Sequence, residues 1–352
     1  MASLLGGDAS PAGFRRAQAP GRIELPRDHG PHPDYRTEWW YFTGHLDAAG
    51  GRRFGFQLTF FRHALFPLAP ASADSRNQLY FAHFALTDVS RGDHRAVERF
   101  ARPYAGIAGV QGAPFAVWLD DWSARSDGES FLPLSLQAGD AELDATLALR
   151  LAPGKPPVFH GNAGLSAKGP EPGNASWYYS YTRLPVSGVL LLGGEPLMVS
   201  GSAWLDREWS SSSLPPGVVG WDWFGLQLDD GRELMLYVLR DAQGRPQAVS
   251  AGSLVTANGD RVPLAVQDFQ LRPVAHWRSP RTGIRWPVSW RLDWLAEPSL
   301  LLRAAVADQE QDLSVRYWEG VVDVLSVAGE RRLGRGYMEL TGYGRSQPNK
   351  AR

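Results

Sequence analysis

The stretch EWWYFTGHLDAAGGRRFGFQLTFFR, Glu38 to Arg62, reads as two β-strands joined by a turn. In its second half Phe54, Phe56, Leu58 and Phe60 fall on one face and Gly55, Gln57 and Thr59 on the other, the period of two that a half-buried strand shows. LYFAHFALTD, Leu79 to Asp88, follows as a strand apolar on both sides. Further strands are expected over Phe115 to Leu119, Ala141 to Leu151, Trp177 to Tyr181, Leu197 to Trp209, Trp221 to Leu228, Leu234 to Arg240, Val288 to Leu295 and Arg335 to Thr341. No window of about a dozen residues carries a 3.6 period, so helices should be few and short.

The opening stretch has an echo. Trp40, Phe42 and Gly44, a turn through Asp47 and Gly51 and a strand ending at Arg62 are matched by Trp221, Trp223 and Gly225, a turn through Asp229 and Gly231 and a strand ending at Arg240. With 352 residues the chain is long for one core, and the repetition points to two related units in tandem. Antiparallel units of this size usually remove their edges by closing on themselves, as up-and-down barrels of the lipocalin kind do, although a fused pair of β-sandwiches would show much the same periodicity. The expected fold class is all-β, with two tandem lipocalin-like antiparallel β-barrel domains. The expected divisions are a flexible leader over 1–21, a first barrel over 22–184, a second over 185–346 and a tail over 347–352.

Composition narrows the function. Lys and Arg total 36 against 37 Asp and Glu, so no overall field draws the chain to nucleic acid. The absence of Cys excludes disulfides, thiol catalysis and cysteine metal sites. No apolar run approaches the roughly 20 residues of a membrane-spanning helix. The sequence has no G-x-S-x-G, H-E-x-x-H or phosphate-binding glycine loop, which argues against the common hydrolases, zinc proteases and nucleotide enzymes. His29 and His32 lie in a Pro-rich loop with no cluster to complete three ligands, so neither metal nor cofactor is expected.

Candidate chemistry lies where acids meet aromatics. In GSAWLDREWSSSSL strand alternation sets Trp204, Asp206 and Glu208 on one side and Leu205, Arg207 and Trp209 on the other. A carboxyl buried against an indole is disfavoured as an anion, and its raised pKa suits a proton donor at neutral pH. The same reasoning marks Glu38, on the face of Trp40 and Phe42, and Asp222, between Trp221 and Trp223. His83, in an apolar strand, is a candidate proton carrier. Trp40, Trp204, Trp209, Trp221, Trp223 and Tyr237 are the candidate ligand-binding aromatics. Arg36, Arg62, Arg207 and Arg240 are available to make any of these acids a structural ion pair instead.

The blocks HPDYRTEWWYFTGHL, FGFQLTFFR, FAHFALTD, WYYSYTRLPVSG, GSAWLDREWSSSSL, GWDWFGLQL, SPRTGIRWPV, YWEGVVDV and GRGYMELTGY, in order from about Leu25 to Tyr343, resemble the carotenoid 1,2-hydratase (hydroxyneurosporene synthase) and AttH-type lipocalin-like family. The resemblance implies two lipocalin-like barrels and members that protonate an apolar polyene and add water to the cation, dehydrate or hydrate other natural products, or cyclise polyenes. It also implies exported members encoded with an ABC transporter. Where members commonly read D-H-E-W this chain has Asp206, Arg207, Glu208 and Trp209, and an arginine there exchanges no proton near neutral pH. That departure counts against carotenoid hydration itself, and the expected function is the broader acid-assisted hydration, dehydration or cyclisation of a terpenoid or polyene. The alternative is a periplasmic or secreted carrier of a lipid-like molecule, associated with an ABC transporter. A monomer is expected in either case.

Overall fold

The computed structural model describes residues 12–67, 77–212, 214–329 and 331–344, and the chain divides into two compact units, Met1–Ser213 and Leu214–Arg352. The first unit contains β1 (Thr37–Ala48), β2 (Arg53–Ala64), β3 (Gln78–Asp88), β4 (Asp93–Ala101), β5 (Ala108–Gln111), β6 (Ala116–Leu119), β7 (Trp122–Ser126), β8 (Leu134–Asp140), β9 (Ala145–Leu151), β10 (Val158–Phe159), β11 (Leu165–Ala167), β12 (Ala175–Leu192) and β13 (Glu195–Ser210). The second contains β14 (Val218–Leu228), β15 (Glu233–Asp241), β16 (Ala251–Val255), β17 (Arg261–Ala265), β18 (Phe269–Arg278), β19 (Arg285–Trp294), β20 (Leu300–Ala304), β21 (Glu310–Asp312), β22 (Arg316–Ser326) and β23 (Arg332–Thr341). Among the described residues the helices are single 3-10 turns, and none is long and apolar enough to cross a membrane.

Each unit is one antiparallel sheet curled into a barrel. The first runs β4-β3-β2-β1-β13-β12-β9-β8-β7-β6-β5, with β10 and β11 paired to β12; the second runs β17-β16-β15-β14-β23-β22-β20-β19-β18. In the first, Arg99 draws the β4 edge toward the far strands. Its guanidinium lies 4.3 Å from the centre of the Trp122 ring and donates to the Gly139 carbonyl at 3.0 Å. The two inner faces form separate cores, one around Trp40, Phe42, Phe56, Leu136 and Leu205, the other around Phe224, Leu226, Trp286, Leu292 and Met338.

The hairpin echo is present in the fold, displaced by one residue. Ala48 N–H donates to Arg52 O at 2.9 Å and Leu228 N–H to Arg232 O at 2.8 Å, so these two turns correspond. Setting Ala48 against Leu228 puts Phe42 opposite Asp222, whereas the sequence echo set Trp40 against Trp221. One residue in a strand exchanges the faces. Trp40 and Phe42 accordingly point into the first core, while Phe224 and Leu226, and not Trp221 or Trp223, point into the second.

The expected division at 184/185 is corrected, because it falls inside β12. β12 and β13 form one long hairpin through Gly193 and Gly194, at φ 60° and 78°, the left-handed pair that a tight two-residue turn requires. The break between units comes after that hairpin, at Ser213/Leu214. The leader is corrected over its described part. Ala17 is fully buried, Arg15 N–H donates to Asp34 O at 3.0 Å and Arg16 Nε to Gly173 O at 3.3 Å, so residues 12–21 pack on the first barrel. Residues 1–11 and the expected tail, 347–352, lie outside the described residues.

Candidate functional site: a cation-free carboxyl on the first barrel

β13 places acid and base on opposite faces. Leu205 and Trp209 belong to the first core with Arg207 between them, and Trp204, Asp206 and Glu208 project from the other side, as alternation predicts. Register then sets Ser180 of β12 opposite Asp206 and Tyr178 opposite Glu208. The Asp206 carboxyl, 5% exposed, accepts from Tyr178 Oη at 2.7 Å, from Trp204 Nε1 at 2.6 Å and from Ser180 Oγ. Ser180 Oγ lies 2.7 Å from His160 Nε2, so the carboxyl joins a buried relay to an imidazole. Among the described residues no Arg, Lys or His forms an ion pair with it. Burial therefore dominates: it pushes the Asp206 pKa up to about 7, with the three hydrogen bonds offsetting part of the rise and the neighbouring Glu208 charge adding to it.

Glu208 is different. It accepts from Ser176 Oγ and lies 3.1 Å from Lys168 Nζ, so unlike Asp206 it has a cation beside it. The structure thus separates the two acids that the sequence set side by side.

The inner face carries a clamp. Glu38, fully buried on β1, is bound by the Arg62 guanidinium from β2 and the Arg207 guanidinium from β13, and accepts from the His32 backbone N–H at 3.0 Å. Burial alone would raise its pKa, but the charges of Arg62 and Arg207 and the contact with His32 outweigh it and hold the carboxyl well below the usual range. As a proton donor Glu38 is corrected: it is an anion that neutralises two buried guanidiniums. Arg62 also donates to Tyr35 O at 2.8 Å and His32 O at 2.9 Å, which fastens the loop before β1 into this end of the barrel. His32 stacks on Trp209 at 3.9 Å and His29 on Phe131 at 3.6 Å. Trp40 and Trp209 flank the Arg207 guanidinium at 3.9 and 5.0 Å, so these candidate ligand-binding rings hold a side chain of the protein itself. His83, the other candidate of the first unit, is buried, and burial pushes its pKa down to about 3.

In the second unit Asp222 of β14 lies 2.7 Å from Arg240 Nε and accepts from Tyr343 Oη at 3.0 Å. Burial raises its pKa to about 6, with the Arg240 charge offsetting part of the rise, so at neutral pH it is the ionised half of a buried pair. Asp222, Arg240 and Tyr343 line a cavity of ≈ 820 Å³ together with Phe269, Trp290 and Trp294. Trp221, Trp223 and Tyr237 do not line it. Trp221 Nε1 donates to Glu339 at 3.1 Å and Tyr237 Oη to Val249 O at 3.1 Å, and all three lie outside the second core cluster. Of the six candidate aromatics, only Trp204 touches the cation-free acid. No group of three metal-ligating side chains occurs among the described residues.

The residues missed by the sequence reading are Tyr178, Ser180 and His160 around Asp206, and Trp290, Trp294 and Tyr343 around the cavity. A signal for the first group existed. The Gly193-Gly194 turn sets the β12–β13 pairing, and Tyr178 and Ser180 share a face by alternation. Nothing local announced the second group, which comes from strands and a loop far apart in the chain.

Fold and site together define a class: a tandem pair of lipocalin-like antiparallel barrels with buried carboxyls on their sheets. The AttH-like family model matches residues 16–343, and the chain belongs to that family, in agreement with the resemblance read from the sequence blocks. It is similar to an AttH candidate from Nitrosomonas europaea, with 36% identity and a TM-score of 0.83 over 94% of this chain and 100% of that one. Kievitone hydratase from Nectria haematococca shares the fold at 14% identity and a TM-score of 0.68, over 94% of this chain and 97% of that one. CghA shares it at 16% identity and a TM-score of 0.53, over 94% and 96%. No curated protein matches the chain.

Proposed function

We propose that this protein catalyses acid-assisted hydration or dehydration of an apolar small molecule of the terpenoid or polyene class, with Asp206 as proton donor. The observation that carries the reading is the Asp206 constellation: a buried carboxyl free of cations, bonded to Tyr178, Trp204 and Ser180 and linked through Ser180 to His160. Protonating an unactivated C=C bond requires an acid kept neutral in a dry place, and burial without a counter-charge supplies that state. The Asp206 proton passes to one alkene carbon, water adds to the other, and the oxonium returns its proton to the carboxylate. The indole N–H of Trp204 and the phenol O–H of Tyr178 hold the carboxyl in place for that transfer. Dehydration is the same sequence in reverse. That kievitone hydratase has this tandem fold supports hydration as a reaction the fold can host.

The test is incubation with lycopene and a panel of other polyenes and terpenoids in heavy water. Wild type is expected to give a hydrated product with one deuterium on carbon. Asp206→Asn should slow this by about 10² to 10⁴-fold, the usual contribution of a general acid, whereas Glu208→Gln should change it far less. An absence of carbon-bound deuterium across the panel, or an Asp206→Asn variant as fast as wild type, would overturn the reading.

A further inference from the structure

Asp206 is tied to an imidazole whose place the short strand β10 sets. β10 pairs with β12, Val158 opposite Ser180 and Phe159 opposite Tyr179, and the next residue, His160, donates its backbone N–H to Tyr178 O at 3.0 Å. The chain then turns away at Gly161, at φ 64°, where a Cβ would come within 2.2 Å of Leu165 O. Gly164 N–H closes the turn on His160 O at 2.8 Å. Val158 and His160 share a face by alternation, on which Ser180 and Tyr178 stand on the next strand and Asp206 on the one after. The imidazole is 0% exposed, and its ring centre lies 4.3 Å from that of Tyr178, whose hydroxyl also donates to Asp206.

Proton counting gives this row a direction. Ser180 Oγ has one proton and gives it to Asp206 Oδ1. In the 2.7 Å contact between Ser180 Oγ and His160 Nε2 the serine oxygen must then accept, which requires the ring proton on Nε2. Of the other titratable groups around the carboxyl, Tyr178 on β12 donates to Oδ2, and Glu208 on its own strand has Lys168 beside it. A chain of donors that ends on a carboxylate strengthens each of its bonds and favours the anion over the neutral acid.

We propose that His160 is a positioning residue for Asp206. As the Nε2–H tautomer it donates to Ser180 Oγ and keeps the Ser180 proton directed at Asp206 Oδ1, so the carboxylate left after proton transfer meets a donor already in place. No bond to His160 forms or breaks in the reaction. The inference rests on the reading of Asp206 as the acid, but the tautomer and the titration that test it need no substrate.

The first measurement is the long-range ¹H–¹⁵N spectrum of the full-length protein labelled at the histidine rings, at pH 8, with His160→Gln to assign the signal. His160 should show a protonated Nε2 and an unprotonated Nδ1. The second is the titration of the Asp206 carboxyl carbon. His160→Phe keeps a ring in the place and removes the donor, so the midpoint should rise by about one pH unit, the worth of one hydrogen bond to the anion. His160→Gln, whose side-chain N–H can take over the bond, should bring it back toward wild type, whereas a merely space-filling role predicts no such order. With a polyene that wild type hydrates, His160→Phe should lower kcat about tenfold and leave KM unchanged. The proposal is overturned if Nε2 of His160 is the unprotonated nitrogen, or if a folded His160→Phe titrates Asp206 at the wild-type midpoint. Should His160→Phe not fold, the wild-type tautomer decides. Should wild type hydrate no polyene, the reaction fails while the tautomer and the midpoint still decide the place of His160.

Discussion

Glu38 and Asp206 lie on adjacent strands of one barrel, are both buried, and have their pKa values moved in opposite directions. Glu38 faces inward and meets two guanidiniums; Asp206 faces outward and meets only neutral donors. Asp222 is intermediate, buried with one guanidinium. The two guanidiniums hold Glu38 well below the ordinary range, whereas burial raises both Asp222, with one guanidinium, and Asp206, with none, to about 6 and about 7. Burial is common to all three, so the counter-charges decide which carboxyl keeps a proton. Arg207 and Asp206 are neighbours in sequence, yet alternation sends the arginine to Glu38 and leaves the aspartate without it.

The largest expected break in this comparison is Glu38→Ala. It leaves Arg62 and Arg207 buried without their shared anion, and losing one partner of a buried pair costs about 3–5 kcal/mol. Chemical denaturation at neutral pH should show that loss, whereas Asp206→Asn, which removes no counter-ion, should stay far closer to wild type.

Stability against pH should separate the two acids by sign. Asp206 keeps its proton in the fold up to about 7 but loses it near 3.8 in the unfolded chain, so between those values the folded state binds the extra proton. Stability then falls as pH rises across that window, by about 1.4 kcal/mol per pH unit where the difference is complete. Glu38 acts in the opposite sense. Its contribution is present above 4.5 and is lost as pH falls toward its depressed folded value. Urea midpoints measured from pH 4 to 8 should show Asp206→Asn gaining on wild type as pH rises. Glu38→Gln should lose least against wild type at the acid end.

A smaller change should move one acid toward another. Arg240→Met removes the single guanidinium beside Asp222 and so reproduces the environment of Asp206. The fall in stability that Asp222 imposes between 3.8 and about 6 should then extend to higher pH. An unchanged pH profile would show that the guanidinium does not set the Asp222 titration.

Much of this arrangement was legible in the sequence, because it rests on period two. The strands and the split of Asp206 from Arg207 across β13 follow from alternation, while the choice of barrels over sandwiches came from the hairpin echo and the family resemblance. What could not be read was which residues meet across long sequence separations. Glu38 finds Arg207 because β1 pairs with β13, and Glu208 finds Lys168 from the segment before β12. Both contacts depend on sheet order, which local pattern does not specify. The echo was real but misaligned by one residue, because Trp and Gly are conspicuous in sequence while the turn hydrogen bonds that set the correspondence are not.

The most direct measurement of the central claim is the titration of Asp206 itself, followed by carbon-13 NMR of protein labelled at the aspartate carboxyl carbons, with Asp206→Asn to assign the resonance. The account predicts a resonance with a midpoint near 7 that disappears in the variant. A midpoint at or below the ordinary 3.8 would mean that Asp206 is an anion in the folded protein and would contradict its role as the proton donor.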